Sequence, residues 1–439
     1  MNKIILIFWI ITVLIVTLTA FPESVTAVLL LITLSSIAAV IIRRTDKSNE
    51  FLVNIFFVAL IARILLGTII HVFELRDFFG SDAAVYDLNG KRLMEIWTGQ
   101  TSADDWMSVR AMSTSGPGWG MNYLTGIVYL VAGHNILAAQ FFCAIIGAAT
   151  APLVYICSHK IFENQRVGKV ASILVALFPG FIIWSSQLLK DGLIIFLLVL
   201  VMTMVLEVQK KFNYQAVATL IFSLFGILSL RFYIFYIVAI AVAGSFIVGS
   251  RGSVRAVARG FIALIVISIA LAYLGVLQSA GTEFEKYGSL ERVQLSRQDL
   301  ARSAESGFGE SFDVSTTEGA LAALPMGFVY LMFAPFPWQV ANFRQAITLP
   351  EMIVWWASVP LILSGLWYTI KNRLRSSISI LIFTFLLTIA YSVFQGNVGT
   401  AYRQRAQIQV FLFIFIGVGW TLLQERKENR QYHPRKNKI

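Results

Sequence analysis

FPGFIIWSSQLLKDGLIIFLLVL, residues 178–200, decides the fold: an apolar run ends in a charged pair, Lys190–Asp191, and a second apolar run follows at once. A chain that moves from one long apolar run to the next across a single charged pair is leaving a bilayer and re-entering it. The same pattern recurs along all 439 residues, of which 57% are hydrophobic and only 13% charged. Soluble domains carry roughly 25% charged residues. The ten-residue alternating segments of a membrane β-barrel are absent, so the sequence reads as an all-α polytopic membrane protein.

Twelve spans are expected, at 4–20, 25–42, 51–73, 136–157, 168–185, 191–208, 215–231, 233–249, 260–278, 351–370, 377–394 and 408–423. The N-terminal run resembles a signal peptide, but a second run follows closely without a small-residue cleavage site, so it reads as a retained helix. With the N-terminus in the cytoplasm, the short linkers RRTDKSNE, SHKIFENQRVGK, QKKFNYQ, SRGSVRAVARG and KNRLRSS, with the C-terminal tail, hold most of the 35 Lys and Arg on the inside. That is the bias membrane orientation requires, and it puts both termini in the cytoplasm. It also gives the net charge of +11 a membrane rather than a nucleic-acid meaning. Two further apolar stretches, 122–135 and 324–339, are too short or too broken by Pro335 and Pro337 to cross, and are expected as re-entrant or interfacial segments on the outer face. The organisation is then an N-terminal hairpin (1–50), a core (51–278) with an outer loop at 74–135, a second outer loop (279–350), and C-terminal spans with a basic tail (351–439).

Charged residues at the outer ends of these spans are the candidates for chemistry. In FFGSDAAVYDLNGKRL (78–93), Ala83, Tyr86, Gly90 and Leu93 fall on one helical face, while Asp82 and Asp87, five positions apart, point in different directions. Asp82 is open to two readings, a helix N-cap shared with Ser81, or a general base or metal ligand at the bilayer surface. Lys190 and Asp191 read either as a snorkelling lysine with its counter-ion or as a functional pair. Arg231, in a near-zero-length turn, and Arg403 and Arg405, just before the last span, run against the positive-inside tendency, so an anion is expected there. Phosphate held by bidentate forks and an anionic lipid headgroup are the two possibilities. Arg63 lies mid-span and implies a buried acid or carbonyl partner. Nucleotide-binding glycine loops and a GxSxG elbow are absent. The four histidines lack metal-ligand spacing, and Cys143 and Cys157 share one apolar stretch and read as small core residues.

Taken together, GSDAAVYDLNGKRL (80–93), LFPGFIIWSSQLLKDGLIIF (177–196), LSLRFYIFY (228–236) and AYRQRAQIQVFL (401–412) resemble the bacterial integral-membrane glycosyltransferases of the GT-C class. Within it they are similar to the protein O-mannosyltransferases and aminoarabinose transferases of glycosyltransferase family 39. The resemblance implies a GT-C-like bundle of about 12 transmembrane helices with outer-face interfacial helices. It implies an inverting transferase in the plasma membrane that moves a sugar from a polyprenyl-phosphate donor to a glycan, lipid or protein acceptor on the extracytoplasmic side. Asp82 matches the loop acid that acts as general base or organises the acceptor. Arg231, Arg403, Arg405 and Lys190 fall where the donor phosphate is held, and Asp191, Asp87 and Tyr402 near donor or acceptor. The resemblance fixes no cofactor, and a divalent cation on Asp82 and Asp191 is the candidate if one is used. The Asp-Glu pair of some members is missing, because Ala83 follows Asp82. Partners are the lipid-linked sugar, its acceptor and membrane lipids, with no nucleic acid. A polymerase or ligase acting on diphosphate-linked glycans, or a flippase for lipid-linked glycans, are the alternatives. Against the flippase, the polar residues gather at the outer edge rather than at the midplane, and the halves do not repeat.

Overall fold

The computed structural model describes residues 1–46, 49–80, 82–114, 116, 118–248, 254–302, 306–309, 312–340 and 342–432. Among them the chain is all α-helical, with one isolated bridge between Gly307 and Asn397. In order the helices are α1 (Lys3–Thr19), α2 (Ser24–Thr45), α3 (Glu50–Val72), α4 (Arg76–Phe79), α5 (Asp82–Trp97), α6 (Trp106–Met112), α7 (Trp119–Ala132), α8 (Ile136–Phe162), α9 (Gln165–Leu177) and α10 (Pro179–Ser185). They continue as α11 (Asp191–Lys210), α12 (Tyr214–Leu230), α13 (Phe232–Val248), α14 (Val254–Tyr273), α15 (Val276–Tyr287), α16 (Leu290–Arg302), α17 (Thr317–Phe333), α18 (Phe343–Asn372), α19 (Leu374–Phe394) and α20 (Val398–Tyr432).

Each of the twelve expected spans coincides with a helix or a bent pair of helices. Seven (α2, α3, α8, α11, α18, α19 and α20) are long and apolar enough to cross a bilayer, and nine if the bent pairs α9–α10 (55°) and Gly260–Tyr273 with α15 (77°) are each one span. The 17-residue α1, α12 and α13 lie at the short end of what spans. The chain is a multi-pass membrane protein.

Asparagine sets many of the helix starts. Asn135, Asn164, Asn213 and Asn342 each accept a hydrogen bond from a backbone N–H of the helix they precede. Asn397 does the same for α20, accepting from Gly399 N at 2.7 Å. Each such cap contributes about 1 kcal/mol. The cap at Asn397 corrects the expected last span. The helix begins ten residues before position 408, so Arg403 and Arg405 lie inside it rather than in a preceding loop. The stretch 324–339 continues a helix that starts at Thr317, runs through Pro325 to Phe333 and packs along α19, ending where Pro335 and Pro337 cannot extend it.

Two breaks leave helix C-terminal carbonyls inside the protein, where they need donors. Arg63, fully buried in α3, supplies them to α9: its guanidinium donates to the carbonyls of Val175 (3.2 Å) and Ala176 (3.0 Å) just before Pro179, and to Ser185 Oγ at 2.8 Å. The partner expected for Arg63 is therefore a set of carbonyls. Cys143 and Cys157 are buried and unbridged in α8.

α18 and α20 pack backbone to backbone through glycines. A Cβ on Gly365 would stand 1.9 Å from the Phe415 carbonyl oxygen, and one on Gly419 2.2 Å from that of Leu361. Gly365→Ala therefore forces the helices apart, and we expect a loss of about 1–3 kcal/mol. A thermal-unfolding midpoint in nanodiscs no lower than that of the wild type would contradict this packing.

Candidate functional site

Four helix ends converge at one end of the bundle: the N-terminus of α5, the N-terminus of α11, the α12–α13 joint and the first turns of α20. Each carries its charge for a local reason. Asp82 opens α5, and the cap position before it, Ser81, lies outside the described residues. Asp191 is the first residue of α11, where the helix dipole favours an acid. Arg231 is the single extended residue (φ −153°) between α12 and α13. The buried face of α5 is Ala83, Tyr86, Gly90 and Leu93, as its spacing implies.

Asp191 is the hub. Its Oδ2 accepts from Arg403 Nη2 at 2.6 Å and Nε at 2.7 Å, and its Oδ1 from Arg231 Nη2 at 3.1 Å. Arg403 Nη2 also reaches Asp82 Oδ2 at 3.0 Å. The two acids differ in exposure: the Asp191 side chain is 1% exposed and that of Asp82 45%. Asp191 is thus locked as a counter-ion, whereas Asp82 has oxygen left for a ligand. The Arg403 guanidinium lies over the Trp184 ring (5.4 Å), which fixes its plane.

Lys190 completes the cluster. Its Nζ lies 6.0 Å from the Tyr86 ring centroid and presses on Gly118, where a Cβ would sit 2.9 Å from it. Gly118 has φ +89°, so its lack of a side chain serves both the backbone and the lysine. Burial first, then the Arg231 guanidinium, push the Lys190 ammonium down to about 8 against the pull of Asp191 and Asp82. Burial and then Asp82 raise the Tyr86 hydroxyl above the usual phenol range, so it stays protonated.

A cavity of about 820 Å³ opens over this cluster, lined by Asp82, Trp184, Lys190, Arg231, Tyr402 and Arg403. Phe78, Ile183, Pro335, Phe343 and Ile347 add apolar lining, interleaved with Arg344 and Gln345. Lys190, Arg231, Arg403 and Arg344 face it against a single lining acid, Asp82, a balance that favours an anion. The arrangement can hold a phosphate at the cations, part of an apolar chain at the apolar residues, and a nucleophile's proton at Asp82.

Two candidates lie elsewhere. Arg405 is fully buried behind the cavity, donating to the carbonyls of Leu331 (3.3 Å), Met332 (3.1 Å) and Ala334 (2.9 Å) at the end of α17. It caps α17 as Arg63 caps α9, so it is a structural cation and not a phosphate ligand. Asp87 accepts from Tyr129 Oη at 2.6 Å and pairs with His134 Nε2 at 2.9 Å, joining α5 to α7 away from the cavity. Tyr402 faces the cavity, and its hydroxyl donates to Glu351 Oε2 at 2.8 Å. Glu351 was not a sequence candidate. Its signal was an acid at the start of an apolar run, which reads as an ordinary span boundary. The same carboxylate accepts from Gly180 N at 2.7 Å, anchoring α10 and with it Trp184.

A divalent cation between Asp82 and Asp191 does not fit these residues. Both Asp191 oxygens already face guanidiniums, and three cations crowd the pair. No group of three or more His, Cys, Asp or Glu comes together among the described residues.

Residues 112–276 match the family model of dolichyl-phosphate-mannose-protein mannosyltransferases, a stretch that contains Lys190, Asp191 and Arg231. The resemblance to GT-C class membrane glycosyltransferases holds on that match. Among solved structures, ArnT from Cupriavidus metallidurans bound to undecaprenyl phosphate is similar at 14% identity and a TM-score of 0.49, over 79% of this chain and 57% of that one. The archaeal oligosaccharyltransferase AglB from Archaeoglobus fulgidus, in complex with an inhibitory peptide and a dolichol-phosphate, is similar at 15% identity and a TM-score of 0.49, over 90% of this chain and 53% of that one. The chain spans a little over half the length of these structures. No curated protein matches it.

Removing the Asp191 charge would leave Arg231 and Arg403 facing each other in a buried site. We expect Asp191→Asn to cost about 3–5 kcal/mol of stability, read as a lower unfolding midpoint in nanodiscs. A midpoint equal to wild type would remove Asp191 from its role as hub.

Proposed function

We propose that the protein is an inverting glycosyltransferase that moves a sugar from a polyprenyl-phosphate donor to an acceptor hydroxyl on the extracytoplasmic side of the plasma membrane. The observation that carries this reading is the cavity with one exposed carboxylate, Asp82, set against three cations whose own counter-ion is buried. The side is taken from the charge bias of the linkers, which puts the Arg231 joint and the first turns of α20 at the outer face.

On this reading Arg403, Arg231 and Lys190 hold the donor phosphate, and the apolar lining of Phe78, Ile183, Pro335 and Phe343 receives the first isoprene units. Asp82 accepts the proton of the acceptor hydroxyl as its oxygen forms a bond to the anomeric carbon. The bond from that carbon to the phosphate oxygen breaks, and the electron pair leaves on the phosphate. Negative charge grows on that oxygen in the transition state, where preoriented guanidiniums stabilise it without reorganising. Trp184, packed edge-on by the Tyr402 that Glu351 holds, keeps Arg403 in place. Arg405 and Asp87 take no part.

Asp82→Asn should lower kcat about 10²- to 10⁴-fold with little change in donor KM, whereas Arg403→Ala, which removes both a phosphate contact and transition-state stabilisation, should raise donor KM and lower kcat together. Transfer from polyprenyl-phosphate mannose in nanodiscs would measure both, and wild-type turnover by Asp82→Asn would sink the base assignment. Lys190 adds a pH signature. Its ammonium titrates near 8, so it is charged below that pH and neutral above it. Binding of undecaprenyl phosphate should therefore weaken as pH rises through and beyond 8, while Lys190→Arg, which stays charged, should lose that alkaline fall. Identical alkaline limbs in the two proteins would take Lys190 out of the phosphate site.

A further inference from the structure

The guanidinium of Arg403 is held by Asp191 and Asp82, but its backbone stands where the start of α20 puts it. The joint between α19 and α20 is residues 395–397, and the second outer loop grips it from the side. Asn397, only 7% exposed, serves both partners. Its Oδ1 caps α20, while its Nδ2 donates to the carbonyl of Leu300 in the last turn of α16 at 3.2 Å. Ser306 Oγ donates to the same Oδ1 at 3.2 Å. On either side of Asn397 the backbones are bonded as well. Phe308 N donates to the Gly396 carbonyl at 2.8 Å, and Val398 N to the Ser306 carbonyl at 3.1 Å. Arg297, buried in α16, donates to the carbonyls of Val393 at the end of α19 (2.9 Å) and of Gly309 (3.3 Å).

These contacts are an exchange between helix ends. α16 and α19 each finish with carbonyls that no turn of their own can satisfy, and each receives a donor from the other side of the joint. Asn397 supplies α16, and Arg297 supplies α19. Phe308 stacks on Tyr330 of α17 (4.3 Å), so the gripping segment is itself anchored to the bundle. The fit is close: a Cβ on Gly396 would stand 2.6 Å from the Arg297 carbonyl oxygen. Leu300, Ser306 and Asn397 also line the cavity that Arg403 lines. Arg403 follows Asn397 by six residues, about 9 Å of helix. A helix carries a shift of its first turn along its axis, and the contacts of Arg403 with Asp191 and Asp82, at 2.6 and 3.0 Å, leave little slack to absorb one.

We propose that α16 and residues 306–309 of the outer loop form a clamp on the α19–α20 joint, and that Asn397 is the positioning residue through which the clamp sets Arg403 in the cavity. The clamp stands on these contacts alone. Its effect on the donor phosphate rests on the glycosyltransferase reading.

Two variants loosen the clamp in different ways. Asn397→Ser keeps an oxygen that caps α20 but has no N–H for Leu300, and Gly396→Ala pushes α16 away while leaving Asn397 intact. Both are made in the full chain in nanodiscs. Without ligand, amide hydrogen exchange of residues 398–405 should quicken in both, together with that of 306–309. Faster exchange confined to 290–309 would overturn the positioning role, because the loop would then be docked without setting α20. With undecaprenyl phosphate as the probe, each variant should bind about five- to tenfold more weakly than the wild type. That loss should shrink to less than about twofold when Arg403 is already alanine. An undiminished loss in the Arg403→Ala background would overturn the link from Asn397 to Arg403. If the wild type bound no undecaprenyl phosphate, the donor reading would fail, and exchange of 398–405 would still decide the clamp.

Discussion

The carboxylate of Asp191 joins three elements that otherwise have no reason to meet at their ends: α11, the α12–α13 joint and α20. A buried acid is tolerable only when paired, and Asp191 is paired on both oxygens. The pairing fixes where Arg231 and Arg403 stand before any ligand arrives, and the second contact of Arg403 fixes Asp82 relative to both. The cavity is thus a by-product of satisfying one charge. Its polar wall is rigid because moving any member would strand another.

The same economy explains the arginines that lie outside the cavity. A helix broken inside an apolar bundle leaves carbonyls that neither water nor a neighbouring turn can satisfy. Arg63 and Arg405 each bring several donors to such an end, one before Pro179 and the other before Pro335. These breaks carry function-facing residues to the cavity. The first turns Trp184 toward Arg403, and the second sets Pro335 in the cavity wall. Guanidinium groups therefore serve two purposes here, and burial against exposure to the cavity separates them.

Much of this was legible in the sequence because a charge stands out in a chain so apolar. Asp82, Lys190, Asp191, Arg231 and Arg403 were picked out as separate signals at the ends of spans, and they form one cluster. Arg405 was misread because the polar run RQRAQIQ masks the start of α20. Once the helix begins at Val398, residues two apart point to nearly opposite sides, so Arg403 and Arg405 cannot share a ligand. Asp87 fails for a related reason. Five positions from Asp82, it turns toward Tyr129 and His134. Glu351 was hidden because an acid at a span boundary looks ordinary until its surroundings are known.

Arg231 joins α12 to α13 as a single extended residue, with its N–H still bonded to the Ile227 carbonyl. That joint makes chain length itself a functional quantity. Adding or deleting one residue there would swing α13 by roughly 100° about its axis, carrying the guanidinium off Asp191. Substitutions at this place can be graded, but length changes cannot. The joint should accordingly be invariant in length wherever this architecture recurs, even where the residues around it drift.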